Sequence, residues 1–367
     1  MKILSVIGTR PEAIKMAPVI KELERHPDRI TSRICVTAQH RAMLDQVLSV
    51  FSIKPHYDFN IMGPNQSLSQ IVAAVLTKLQ PVLRDEKPDW VLAQGDTTTV
   101  LAAVLGSFYE RSKIGHVEAG LRTHDKHQPF PEEINRRVTS IVVDLHFAPT
   151  AQARENLLRE GIADSAIRVT GNPVIDALFM VQDTSYGPAS GPLRAIPWDR
   201  RLILVTAHRR ENFGKPLDNI CHALRELAGA YPDDVHIVYP VHPNPNIREP
   251  VNRLLGKLPG ISLLEPLDYL PLIYLMKRST LVLTDSGGIQ EEAPGLGKPV
   301  LVLREITERP EAVEAGTVRV VGTGRREIVE NARKLLDDNV EYRKMAQAVN
   351  PYGDGHAAVR IVKALLE

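Results

Sequence analysis

Short uninterrupted runs of apolar or β-branched residues return along this chain roughly every 30 residues, with helix-like stretches between them, and few architectures accommodate that rhythm. In the first half the runs are 3–7, 33–37, 90–93, 114–117, 145–148 and 167–170; in the second they are 202–206, 236–239, 262–264, 281–284, 300–302 and 318–320. Strands without polar alternation are buried on both faces, and the intervening helices supply the covers, so the pattern predicts parallel sheets. Between the two series lies 183–200, rich in Pro, Gly and Ser and without periodicity, which reads as a linker. A chain of 367 residues is long enough for two domains, each with its own core. The expected fold is therefore α/β: two doubly wound domains, 1–182 and 201–353, facing each other across a cleft. Ligands of such sheets sit at the carboxyl ends of the strands, so functional residues belong in the loops that follow them.

Charge narrows the partners. Lys and Arg total 45 against 44 Asp and Glu, a net charge of +1, which supplies no bulk attraction to nucleic acid or an anionic membrane. An anionic ligand must then be held by locally placed cations and backbone N–H groups. Cys35 and Cys221 are the only cysteines, so neither a disulfide framework nor a Cys-rich zinc module is expected. No apolar run approaches the ~18 residues a membrane span requires. Met1-Lys2-Ile3-Leu4-Ser5-Val6-Ile7 reads as a first core strand rather than a signal peptide, which points to a cytoplasmic, soluble protein.

The post-strand loops carry the chemistry. Gly8-Thr9-Arg10-Pro11-Glu12-Ala13-Ile14-Lys15 opens a helix. Thr9 and Glu12 have capping-box spacing and Pro11 suits the first turn. Arg10 and Lys15 are misplaced for a helix dipole, since cations favour the opposite end, but they suit a phosphate held at the N-terminus. Asp96 follows the strand ending at Ala93, Glu118 follows the strand ending at Val117, and Pro131-Glu132-Glu133 opens a later helix. Each acid alone could be a helix cap. Three such loops on the rim of one domain suit proton transfer at carbon. His116, Glu118, His124 and His127 lack the spacing of a metal site, and no metal is expected.

In the second half, His208-Arg209-Arg210 follows a strand, and His242 follows the next in a stiff Pro-rich turn. Asp285-Ser286-Gly287-Gly288 leads from a strand into a helix with no Cβ in the way, leaving backbone N–H groups and Ser286 to surround a phosphate. Glu292 falls one and a half turns into that helix, near the reach of a ribose diol, and Arg309 adds a cation to the same rim. The loop is neither a Walker A nor a Gly-x-Gly-x-x-Gly sequence. Tyr109-x-x-x-Lys113 matches the catalytic pair of short-chain NAD-dependent epimerases, but the first turn is not the glycine-rich turn those enzymes need, so the match is read as chance.

Taken together, Gly8-Thr9-Arg10-Pro11-Glu12-Ala13-Ile14-Lys15, Gln94-Gly95-Asp96-Thr97, His116-Val117-Glu118-Ala119-Gly120-Leu121-Arg122, Pro131-Glu132-Glu133-x-Asn135-Arg136, His208-Arg209-Arg210-Glu211-Asn212, Asp285-Ser286-Gly287-Gly288-x-Gln290-Glu291-Glu292 and Asn350-Pro351-Tyr352-Gly353-Asp354-Gly355 resemble the bacterial non-hydrolysing UDP-N-acetylglucosamine 2-epimerases, in family order from end to end. The resemblance implies two Rossmann-like domains of the glycosyltransferase B type, with the last helix, 354–367, packing back onto the first domain. It implies interconversion of UDP-N-acetylglucosamine and UDP-N-acetylmannosamine for surface polysaccharide precursors, by anti elimination of UDP to 2-acetamidoglucal and re-addition. No cofactor is implied, because C2 is inverted without oxidation.

By that resemblance Asp96, Glu118 and Glu132 are the acid/base carboxylates. Arg10, Ser286, Gly287, Gly288 and His208 hold the diphosphate, Lys15 and Arg309 contact sugar or phosphate, and Glu292 the ribose. It also implies activation by UDP-N-acetylglucosamine at a second pocket near Gln39, His40, Gln66 and His242, although Asn65 stands where some relatives carry a basic residue. A homodimer is implied as well, with the apolar face of the helix expected at 67–83 offered as its contact. A UDP-sugar glycosyltransferase, a hydrolysing epimerase and a non-catalytic nucleotide-sugar sensor are the alternatives; only the epimerase reading uses three carboxylate loops.

Overall fold

The computed structural model describes the chain except residues 38–40, 64–65, 185 and 189–190, and the side chains of 41–43. Among the described residues it divides into two compact units, Met1–Met180 with Tyr352–Glu367, and Val181–Pro351.

The first unit holds a parallel sheet of seven strands. These are β1 (Lys2–Ile7), β2 (Thr31–Val36), β3 (Tyr57–Asp58), β4 (Trp90–Gln94), β5 (Lys113–Val117), β6 (Leu145–Ala148) and β7 (Ile167–Val169), ordered β3-β2-β1-β4-β5-β6-β7. The second holds six: β8 (Arg201–Thr206), β9 (Val235–Pro240), β10 (Ile261–Leu264), β11 (Leu281–Thr284), β12 (Val300–Val302) and β13 (Val318–Val320), ordered β10-β9-β8-β11-β12-β13. In each sheet the first strand is central and the order reverses beside it, at β1/β4 and at β8/β11. That reversal is where a doubly wound sheet opens its ligand crevice. The twelve apolar runs are all strands; β3 is a two-residue addition at an edge.

Burial on both faces explains the runs. Ile3, Leu4, Val6 and Ile7 of β1 are all buried, as are Ile203, Leu204 and Val205 of β8. Each buried Leu, Ile or Val contributes roughly 1.5–3 kcal/mol to the drive to fold. Cys35 and Cys221 are buried free thiols within these cores. Among the described residues no helix is long and apolar enough to cross a membrane.

The stretch read as a linker has no regular helix or strand in its described part, but it is not loose. Leu193 and Ile196 are buried, Trp198 meets Tyr274 edge-on with ring centroids 5.4 Å apart, and Lys277 pairs with Asp183 at 2.7 Å, all within the second unit. The helix expected at 67–83 is Leu68–Glu86, started by a true capping box of Ser67 and Gln70. One side of its apolar surface is buried inside its own unit through Ile71, Val75, Leu79, Val82 and Leu83, and the helix packs on Thr98–Tyr109. Leu68 remains 40% exposed and lines an open pocket with Val72, Ala73 and Leu76, so the dimer contact offered above stays a proposal.

The last helix, Ala357–Leu366, belongs to the first unit and packs on Arg10–Glu24. Its N-terminus is satisfied from far away. The buried Asp176 carboxylate accepts from the N–H groups of Ala357 (3.2 Å) and Ala358 (2.8 Å), while His356 at the cap position supplies no side-chain bond. Where the chain returns, the Asn172 N–H donates to the Tyr352 carbonyl at 2.6 Å.

Candidate active site

In the first unit the site is built on the turn after β1. A Cβ on Gly8 would stand 2.6 Å from Thr99 Oγ1, so only glycine lets this turn close against the neighbouring loop. The expected capping box does not form. Thr9 occupies the cap position without capping, and its hydroxyl instead donates to Glu12 Oε1 at 3.0 Å. The Gly8 N–H donates to Glu12 Oε2 at 2.6 Å and the Thr97 hydroxyl to Oε1 at 2.8 Å. The physical reason is burial. A carboxylate withdrawn from water collects every donor in reach, so the hydroxyls turn toward Glu12 rather than toward the helix backbone. Burial pushes the Glu12 carboxyl up to about 7, against the pull of the Gly8, Thr97 and Thr9 donors. Glu12 thereby ties the turn carrying Arg10 to the loop carrying Asp96.

Asp96 is held by groups from the helix Glu132–Val142. Arg136 Nη2 donates to its Oδ2 at 2.5 Å, and the Asn135 amide donates to its main-chain carbonyl at 2.8 Å. Of the two acids opening that helix, Glu133 is fully buried and accepts from the N–H groups of Thr123 (3.0 Å) and His124 (3.2 Å). Its work is structural. Glu132 differs: its Oε2 is buried without a hydrogen-bond partner.

Glu118 sits just beyond β5 with φ of 67°, a left-handed conformation that a non-glycine residue adopts only where its surroundings enforce it. Its Oε2 is ion-paired with Lys15 and accepts from the Asn172 amide at 2.8 Å. Lys15, expected at the sugar or phosphate, is thus placed beside an acid/base candidate. Beneath these loops His116 shares a 2.7 Å hydrogen bond with the Gly95 carbonyl, and burial holds its imidazole down at about 4. A neutral brace fits it better than a ligand role. Among the described residues no group of three His, Cys, Asp or Glu could hold a metal ion.

In the second unit Ser286 caps Gly287–Gly295 by position, not by side chain, and its N–H donates to Thr284 Oγ1 at 2.9 Å. A Cβ on Gly287 would come within 3.0 Å of Glu308 Oε1 and 3.5 Å of Arg309 Nη2, whereas one on Gly288 would find only Glu292 Oε2 at 4.0 Å. The turn thus leaves space at Gly288 at the N-terminus of the helix, a place that suits a phosphate, with the Arg309 guanidinium and the Glu308 carboxylate beside Gly287. Arg309 is buried and ion-paired through Nε with Glu291. Glu292 is buried one and a half turns in.

His208 lies in the loop after β8, stacked on His242 with ring centroids 5.6 Å apart and 16° between planes. Burial lowers its imidazole pKa and Asp285 opposes that, while Arg209 and His242 lower it further. His242, expected at an activator pocket, is therefore adjacent to His208. Gln66 uses its side chain to brace a loop, accepting from the Gly63 N–H (3.0 Å) and donating to the Ile61 carbonyl (2.8 Å). Gln39, His40 and Asn65 lie outside the described residues. The chance pair stays apart in role, with Lys113 over the Trp90 ring at 5.5 Å and Tyr109 exposed.

Arg136, Asn172 and Asp285 were given no role from sequence, and Glu12 only that of a helix cap. Asn172 and Asp285 lay open to the same rule as the others, being the third residue after β7 and the first after β11. Arg136 is recognisable only through Asp96, 40 residues away.

A sequence-family model described as UDP-N-acetylglucosamine 2-epimerase matches residues 21–366. The UDP-N-acetylglucosamine 2-epimerase of Escherichia coli (strain K12) is 56% identical over 373 residues, spanning 100% of this chain and 98% of the relative. Among solved structures, the Neisseria meningitidis UDP-GlcNAc 2-epimerase bound to UDP-GlcNAc is 52% identical with a TM-score of 0.91, covering 100% of both chains. The Methanocaldococcus jannaschii UDP-GlcNAc 2-epimerase in complex with UDP-GlcNAc and UDP is 34% identical with a TM-score of 0.82, over 100% of this chain and 99% of the other. Two parallel sheets with flanking helices, the glycosyltransferase B-like class, are common to them.

Proposed function

The chain belongs to the UDP-N-acetylglucosamine 2-epimerase family, and from that membership we propose that it interconverts UDP-N-acetylglucosamine and UDP-N-acetylmannosamine by the non-hydrolysing route. The C2–H of an unactivated sugar is too weak an acid for a carboxylate. As the C1–O bond breaks, its electron pair leaves with UDP, and the positive character at C1 acidifies the neighbouring C–H. A carboxylate takes that proton and C1=C2 forms, giving 2-acetamidoglucal. A second donor then protonates C2 from the opposite face, and a phosphate oxygen of UDP re-forms the bond at C1. Stabilising the departing diphosphate is the main electrostatic task.

Ser286, Gly287, Gly288, Arg10 and His208 take the diphosphate in this proposal, Lys15 and Arg309 the sugar or phosphate side, and Glu292 the ribose. Asp96, Glu118 and Glu132 move the protons. One observation carries the reading: three carboxylates in one loop set meet three different environments. Asp96 is held by Arg136, Glu118 by Lys15 and Asn172, and Glu132 keeps a buried oxygen without a partner. Unequal surroundings are what separate a donor from an acceptor.

Purified protein incubated with UDP-N-acetylglucosamine in deuterium oxide is expected to give UDP-N-acetylmannosamine carrying deuterium at C2, with 2-acetamidoglucal detectable by NMR. Retention of the original hydrogen overturns the elimination route, and free N-acetylmannosamine with UDP as the lasting products makes the enzyme a hydrolysing one. The proposal extends to activation by UDP-N-acetylglucosamine. Turnover starting from UDP-N-acetylmannosamine alone should be sigmoidal and become hyperbolic when a trace of UDP-N-acetylglucosamine is added; a hyperbolic curve without it overturns the activator.

A further inference from the structure

The two oxygens of Asp285 are used very unequally. The residue directly follows β11 and is fully buried. Its Oδ2 accepts three hydrogen bonds: from the N–H groups of His208 and Arg209, both at 2.8 Å, and from the Asn212 amide at 2.9 Å. Its Oδ1 is buried and has no hydrogen-bond partner. The cation-forming atom facing it is His208 Nδ1, 3.6 Å away, on a side chain that is 40% exposed and so has room to turn.

We propose that Asp285 is the positioning residue for His208, fixing the proton on Nδ1 and leaving Nε2 as the atom that meets the ligand. An unpaired carboxylate oxygen withdrawn from water is costly, and a small rotation of the His208 ring supplies the missing donor. The same carboxylate grips the loop through two backbone N–H groups, so the main chain that carries the ring is fixed beside the oxygen its Nδ1 faces. This is the device by which an outer carboxylate sets the tautomer and aim of a working histidine. It also supplies charge. The groups facing the ring are Asp285 directly after β11, Arg209 in the ring's own loop and His242 from the loop after β9; of these only Asp285 favours an imidazolium. A protonated ring beside a leaving diphosphate stabilises it most when a buried anion backs it on the far side. The inference rests on the diphosphate role proposed for His208, but its structural core does not.

The substitution Asp285→Asn has a forced geometry. The atom in the Oδ2 place must still accept three hydrogen bonds, so the amide oxygen takes that place and the NH2 group occupies that of Oδ1. A donor then faces His208 Nδ1, which must become an acceptor and give its proton to Nε2.

The full chain, labelled with 15N at histidine, tests this by ring-nitrogen NMR, with His208→Gln used to assign the signal. Wild type should show a neutral His208 protonated at Nδ1. Asp285→Asn should show protonation at Nε2, a lower titration midpoint, and kcat for epimerisation reduced about 10–100-fold. An Nε2-protonated ring in wild type overturns the proposal, and does so whether or not the variant folds. An unchanged tautomer and midpoint in a folded variant overturns it too. Because the tautomer is read without turnover, a chain that shows it and forms no UDP-N-acetylmannosamine refutes the reaction and not the pairing.

Discussion

Asp96→Asn, Glu118→Gln and Glu132→Gln should each lower kcat by at least about 100-fold, since positioned proton transfer contributes ~10²–10⁴. UDP affinity, measured by calorimetric titration, should survive all three, because the diphosphate contacts proposed above lie largely in the Ser286-Gly287-Gly288 turn. The variants differ in their structural cost. Glu118→Gln removes the carboxylate that Lys15 pairs with, whereas Asp96→Asn removes one of two carboxylates at Arg136, which keeps Glu133 at 3.5 Å. Breaking a buried pair from one side costs about 3–5 kcal/mol, so Glu118→Gln should also lower Tm, and Asp96→Asn should lower it less. Glu132→Gln is cleaner, since its buried oxygen has no partner to lose. Its kcat should fall with Tm nearly unchanged. Near wild-type turnover in all three variants would remove the acid/base assignment.

Gly120→Ala should be the most disruptive small substitution in the first unit. Gly120 has φ of 89°, and an added Cβ would stand 2.1 Å from the Ala153 carbonyl oxygen and 2.8 Å from its carbon. Those atoms are backbone of the helix Ala151–Arg159, and the Asn156 amide from the same helix donates to the Gly120 carbonyl at 3.0 Å. Neither partner yields without breaking the other. Backbone strain and overlap together suggest a loss of about 4 kcal/mol or more, a fall in Tm of at least ~8 °C for a domain of this size. Gly161→Ala is the control: its φ is 85°, but nothing lies within 4 Å of the added Cβ. It should cost only ~1 kcal/mol. Equal Tm shifts in the two variants would show that the helix contact contributes nothing.

The sheets were legible because buried parallel strands leave a signature that needs no partner to be seen. Strand β3 was not, since Tyr57-Asp58 pairs only with Cys35 and Val36 at the sheet edge and carries no apolar run. The post-strand rule found Asp96, Glu118, His208 and Ser286 because topology alone puts them at strand ends. It could not pair them with their partners. Arg136 reaches Asp96 across 40 residues, Asp285 reaches the His208 N–H across 77, and Lys15 reaches Glu118 across 103. Such distances leave no local spacing to read. Glu12 shows the opposite failure: its spacing from Thr9 is that of a capping box, but burial, invisible in the sequence, reassigns both side chains.

The helix Ala357–Leu366 has a consequence for how the molecule comes into being. It covers Arg10–Glu24, more than 300 residues earlier in the chain, with Ala357, Ala358, Ile361, Val362 and Leu365 as its buried residues. Everything in Val181–Pro351 is translated in between. The first unit therefore keeps an apolar flank uncovered until the whole of the second has been synthesised, inverting the usual vectorial order in which the first domain is finished first.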